Sequence, residues 1–124
     1  MPFLFSVLMM SGLDPSVVVV PPVVQESMQE YATSVSKAHG LNTKRFLAVI
    51  NCESTWDANV VGDNGNSFGI VQIYLPAHSN IKKEQALDPK WSIDWMAEEW
   101  MDGHYRQWSC YNNLYAQSTS VQKM

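Results

Sequence analysis

Glu53 is the residue whose setting points most directly to chemistry. It closes an apolar helical stretch and is followed closely by the turn-rich segment VGDNGNSFGIVQI, Val61 to Ile73. Glu53 lies seven residues beyond Phe46, four beyond Val49 and three beyond Ile50, so its carboxyl leaves the helix on the same face as core side chains. Desolvation on such a face favours the neutral acid and raises the pKa, by up to about 3 to 5 units at full burial. A proton is then at hand near neutral pH. A raised carboxylic acid beside a loop of small polar groups suits a general acid at a sugar cleft, and the expected chemistry is cleavage of a glycosidic bond. An isolated glutamate at such a position is more often an exposed carboxylate at a frayed helix end or half of an ion pair.

The loop itself, GDNGNSFG at residues 62–69, holds three Gly, two Asn and one Asp, a composition for tight turns with positive backbone dihedrals. Sheet is expected to be small and local. Phe68, Ile70 and Ile73 form an apolar anchor, with Gln72 among them as a polar side chain able to face a cleft. A calcium loop of the EF-hand type fits poorly, because Asp63-Asn64-Gly65-Asn66 lacks the alternating oxygen ligands and Tyr74 stands where the twelfth-position glutamate belongs.

Glu53-Ser54, the segment Gly62 to Gln72 and the stretch Gln72-Ile73-Tyr74-Leu75-Pro76 resemble the lysozyme-like catalytic domain of soluble lytic transglycosylases and their relatives, the goose-type lysozymes. The likeness covers roughly residues 27 to 113. Its most specific part is Glu-Ser followed, from Ser67, by Ser-x-Gly-x-x-Gln. The resemblance implies a general acid and base role for Glu53, support of that residue by Ser54, and sugar binding by Ser67, Gly69 and Gln72. Asp63 matches the aspartate of the goose-type pattern Gly-Asp-x-Gly-Asn-x-Phe-Gly. Two departures stand out. Tyr74 occupies the place of the second goose-type aspartate, and only Tyr111-Asn112 echoes the Ala-Tyr-Asn-Ala-Gly segment of the transglycosylases. Tyr74, His78 and Tyr111 are further cleft candidates, each with an alternative role in packing or at the surface.

Two routes of cleavage follow. Hydrolysis wants a second carboxylate, about 6.5 to 9.5 Å away for inversion or about 5 to 5.5 Å for retention, and Asp63 is the candidate in the motif. A lytic transglycosylase needs none, because the muramoyl 6-hydroxyl of its substrate attacks the anomeric carbon and one glutamate acts as acid and then as base. With Tyr74 at the second aspartate position, the non-hydrolytic cut between N-acetylmuramic acid and N-acetylglucosamine of peptidoglycan is the expected reaction. A muramidase using Glu53 and Asp63, and an inactive wall-binding module of the same fold, are the alternatives.

The elements that must carry these residues are readable from periodicity. Gln25 to Ala38 reads as a first helix with Met28, Tyr31, Ala32, Val35 and Ala38 on one side, ending at Gly40. Asn42 or Thr43 can cap a second helix leading to Glu53. Asp88-Pro89 starts a further helix, rich in apolar residues on more than one side from Trp91 to Met101, that reads as buried and central and ends at Gly103. The fold class expected is mainly α, an α+β lysozyme-like helical domain with a small β and turn-rich segment beside the cleft.

The chain has 124 residues, 46% of them hydrophobic, with five Trp, five Tyr and four Phe, enough for one domain with a core. Twelve acidic and eight basic side chains give a formal charge of −4, which disfavours a partner held by counterion release, whether nucleic acid or anionic membrane. Residues 25–117 are read as the catalytic domain and 118–124 as a tail. Residues 1–24 form a separate zone, a linker or packed arm on one reading and a degenerate export or anchoring signal on the other. It has no basic residue, its apolar runs fall short of the roughly 20 residues that span a bilayer, and Pro21-Pro22 marks its boundary. His39, His78 and His104 have no zinc spacing and read as surface or packing residues, so no metal or cofactor is expected. Cys52 and Cys110 are two buried thiols in a reducing cytoplasm or a bridge in an exported protein, and the bridge is the favoured reading. A monomeric protein of the extracellular space or cell envelope, acting on glycan strands, is the resulting expectation.

Overall fold

A computed structural model describes residues 26–116; the N-terminal zone 1–24 and the tail 118–124 lie outside the described residues. The fold is mainly helical with one small antiparallel sheet, as the periodicity implies. Helix α1 spans Met28–Ala38 and begins three residues later than Gln25, because Ser27 and Glu30 form a reciprocal capping box that fixes the first turn. Helix α2 spans Thr43–Ser54, and of its two candidate caps Asn42 is the one used, its side chain accepting the N–H of Arg45 at 3.1 Å. A short α3, Lys83–Leu87, precedes α4, Pro89–Met101, where Asp88 accepts the N–H groups of Lys90 and Trp91 and proline occupies the first turn.

The core forms where α1 meets α2 and α4. Ala32 and Val35 of α1, Phe46, Val49 and Ile50 of α2, and Ile93, Met96, Ala97 and Trp100 of α4 are all buried. Phe46 meets Trp100 edge to face at 5.2 Å, and Tyr31 donates a hydrogen bond of 2.7 Å to Asp94, fastening α1 to α4. Among the described residues no helix is long and apolar enough to cross a membrane.

Between α2 and α3 lies the sheet, three strands of two residues each: β1 Val61–Gly62, β2 Ser67–Phe68 and β3 Ile73–Tyr74, in that order. Strands this short cannot stand alone. They are held from behind by Ile70, Val71 and Ile73, all buried against the helices. Gly69 allows this close approach, since its φ is +89° and a side chain there would run into the carbonyl oxygen of Ala86 in α3. After α4 the chain makes a tight turn at Tyr105–Gln107, then α5 at Ser109–Tyr111 and a wider turn at Asn112–Ala116.

Cys52 near the end of α2 and Cys110 in α5 form a disulfide, with Cα atoms 6.0 Å apart. Their separation of 58 residues makes the bridge a long-loop constraint, worth about 4 kcal/mol in the chain-entropy treatment. Replacing both cysteines by serine should lower stability by about that amount. Scanning calorimetry should then show the melting midpoint falling by about 15 to 30 °C for a domain of this size; an unchanged midpoint would mean that the tether contributes nothing.

Candidate active site

The end of α2 is unusual in its backbone. Thr55 and Trp56, the two residues after the helix, both take left-handed conformations with φ of 49° and 68°. Neither is glycine, and a β-branched residue in that region is costly. Ser54 holds them in place. It is buried, its Oγ lies 2.6 Å from the carbonyl oxygen of Ile70 and 3.3 Å from that of Ile50, and it accepts the N–H of Trp56 at 3.1 Å. The serine therefore staples the end of the helix that carries Glu53 to the sheet loop.

Glu53 is half-buried and lines a groove, with Asp63, Ser67, Gln72, Tyr74, Ala77 and His78 from one stretch of chain as one wall and Gln107, Trp108 and Ser109 from another as the second. Its Oε2 accepts the backbone N–H of Cys110 at 3.2 Å. Burial pushes its carboxyl above the ordinary glutamate range, the Cys110 N–H pulls the other way, and the carboxylate of Asp63 pushes it up again. The net direction is upward, as the apolar face of α2 requires.

The motif residues divide into those that meet the groove and those that build it. Asp63, Ser67, Gln72 and Tyr74 all reach it. Ser67 is buried and donates its hydroxyl proton to Asp63 Oδ2, fixing the direction of that carboxylate. Gln72, with a φ of 57°, donates both amide hydrogens to backbone, to the carbonyls of Val60 and Gly69 at 2.9 Å each. Only its carbonyl oxygen is left for a ligand, and a side chain at Gly62 would collide with that oxygen. Ser54, Gly69 and Tyr111 are not among the groove-lining residues. Ser54 and Gly69 are internal, whereas Tyr111 packs against Trp100 and Tyr105 on the other side of the 105–111 segment.

The second wall was missed in the sequence. Gln107, Trp108 and Ser109 carry no motif, yet Trp108 is almost fully buried and donates its indole N–H to the carbonyl oxygen of Val71 at 2.8 Å, locking this wall to the sheet loop. The available signal was the cysteine pair, because bridging Cys52 to Cys110 sets residues 107–109 beside Glu53. His78, a cleft candidate with surface or packing as its alternative, lines the groove and meets Trp95 edge to face at 5.0 Å.

Three side chains that could ligate a metal, Glu99 in the last turn of α4 and Asp102 and His104 just after it, have ligand atoms within 4.8 Å of one another. None of them lines the groove, and Glu99 already accepts hydrogen bonds from Gln107 and His104. Compared with protein-family models, with curated proteins and with solved structures, the chain matches none.

The raised Glu53 carboxyl has a consequence for stability with a definite sign. A folded-state pKa above the unfolded one means that the group's favourable contribution is complete below the unfolded value, about 4.3, and is lost as pH rises through the folded value. Glu53→Gln, which keeps an acceptor for Cys110 and removes the ionisation, should therefore gain stability over the native chain as pH rises to neutrality. Urea unfolding across pH 3.5 to 8 reads this directly; a difference that does not grow with pH would mean an ordinary, solvated glutamate. Ser54→Ala, in contrast, should cost about 1 to 3 kcal/mol at every pH in the same unfolding series, by leaving buried backbone groups unpaired.

Proposed function

We propose that the protein is a glycosidase-like enzyme of the bacterial cell wall, a lytic transglycosylase that cuts the β-1,4 bond between N-acetylmuramic acid and N-acetylglucosamine. The observation that carries this reading is the half-buried Glu53 carboxyl, raised in pKa by its burial and opening onto a groove shared with Asp63. Its agreement with the Glu-Ser and Ser-x-Gly-x-x-Gln resemblance supports the substrate class.

In this mechanism Glu53 protonates the glycosidic oxygen as the bond to the anomeric carbon lengthens. The carboxylate that results is stabilised by the N–H of Cys110, 3.2 Å away. Positive charge developing on the sugar ring is offset by Asp63, which Ser67 keeps oriented. Glu53 then takes the proton of the muramoyl 6-hydroxyl, whose oxygen bonds to the anomeric carbon. The new chain end is a 1,6-anhydro ring, and the acid is regenerated. Export fits this substrate, and the Cys52–Cys110 bridge fits an oxidising compartment.

Hydrolysis is the second reading, and the presence of Asp63 in the same groove favours it, since that carboxylate has the chemistry to activate water. The products separate the two. Mass spectrometry of muropeptides released by the purified protein should find ends lighter by one water than the hydrolytic product, and Glu53→Gln should lower their release by about 10²- to 10⁴-fold while remaining folded. Reducing ends in place of anhydro rings would establish the muramidase, and no release at all would reject both. Asp63→Asn should still yield anhydro ends. Because Asp63 raises the Glu53 pKa, the alkaline limb of activity in that variant should move to lower pH; a limb that stays put would uncouple the two carboxyls.

A further inference from the structure

A second depression shares no lining residue with the Glu53 groove. It holds about 300 Å³ and is lined by the start of α2, the end of α4 and the 105–111 segment, with Asn42, Arg45, Trp100, Tyr105 and Tyr111 among its residues. Its three rings form a cluster. Tyr105 and Tyr111 have centroids 4.6 Å apart, and they meet Trp100 at 6.2 and 5.5 Å.

Arg45 is the one charged group among the described lining residues. Its guanidinium lies 4.4 Å from the centre of the Tyr115 ring and donates to the hydroxyl of Tyr111 at 3.3 Å, so aromatic contacts set its position. No carboxylate among the described residues forms an ion pair with it. Its place in the helix is electrostatically uncomfortable. Lys44 and Arg45 both fall in the first turn of α2, which holds no acid, so two cations stand at the positive end of the helix dipole. An arriving anion relieves that repulsion. Trp100 gives a second sign: it is 7% exposed, and its indole N–H meets no acceptor among the described residues. Buried donors are seldom left so, and this one belongs to a residue that lines the depression.

These groups define the chemistry of a ligand. The guanidinium fork matches the paired oxygens of a carboxylate, and ring walls take an apolar face or the C–H face of a sugar. A bare inorganic anion offers nothing to the rings, and the net charge of −4 disfavours a polyanion. We propose that this depression binds a single carboxylate carried on a small apolar or sugar body, with Arg45 pairing with the carboxylate and Tyr105 and Tyr111 packing on the body. Two sources carry that chemistry, the free end of a short peptide and a sugar acid. The site is independent of the reaction proposed for Glu53.

Titration of the whole, isotope-labelled chain followed by NMR tests the site. The probes are acetyl-alanyl-alanine and glucuronic acid, each beside an uncharged counterpart, the C-terminal amide and the methyl ester. Signals of Arg45, Tyr105, Tyr111 and the Trp100 indole N–H should shift saturably with at least one acid. The neutral counterpart should bind about tenfold more weakly, the loss expected when a charged hydrogen bond is forfeited. Whichever acid binds more tightly identifies the source. Arg45→Gln, at an exposed position, should weaken that acid by about the same factor, whereas Glu53→Gln should leave its affinity unchanged. Equal affinity for an acid and its neutral counterpart overturns the proposal without need of any variant, as does the absence of a saturable shift with either acid. Unchanged affinity in folded Arg45→Gln overturns it too. So does inorganic phosphate binding as tightly as the better acid, since charge alone would then account for the contact.

Discussion

One tether, the Cys52–Cys110 bridge, joins the end of α2 to the start of α5, and the geometry of the groove depends on it. The cysteine beside Glu53 brings in the peptide N–H that Glu53 contacts and, one to three residues earlier, the whole second wall. A covalent link of this kind suits a site made from distant pieces of a small chain. Loop closure over 58 residues removes from the unfolded ensemble the conformations that keep the two ends apart.

Around that tether, several polar side chains act mainly on the backbone. Ser54, Gln72 and the indole of Trp108 bond carbonyl groups of residues 50–72, the stretch that contains every non-glycine residue of positive φ among the described residues. Of the five, Thr55 and Trp56 follow Ser54 directly and Gln72 makes two of these bonds itself, which brace the strained backbone there. Turning the chain sharply after Glu53 lets its carboxyl open onto the groove while the rest of α2 stays in the core. A buried donor spent on backbone is unavailable to a ligand, so the groups left for recognition are few: the two carboxyls, the Gln72 carbonyl oxygen, and the tips of Tyr74, His78, Gln107 and Ser109.

The electrostatic consequence is a contrast in setting between two carboxyls in one groove. Glu53 sits where water is partly excluded and favours its proton, whereas Asp63 is exposed and takes a hydrogen bond from Ser67. The raised carboxyl is also a source of instability at neutral pH.

Helix α2 and its acid were legible in the order of residues alone, because a 3.6-residue period places Glu53 on the face of Phe46, Val49 and Ile50 whatever the rest of the chain does. The cap at Asp88, a cap at either Asn42 or Thr43, and the smallness of the sheet were legible for the same reason, each being decided within a few residues. The start of α1 was displaced by a capping box whose two members were in view, Ser27 and Glu30, but which competes with the apolar period only once the first turn is built. What tertiary structure alone decided was the second wall. Residues 107–109 have no local pattern, and their place beside Glu53 comes from a bridge across 58 residues and from the Trp108 bond to Val71. It also decided which motif residues meet a ligand, since Ser54 and Gly69 are drawn inward by contacts with Ile70 and Ala86 that no spacing in the chain encodes.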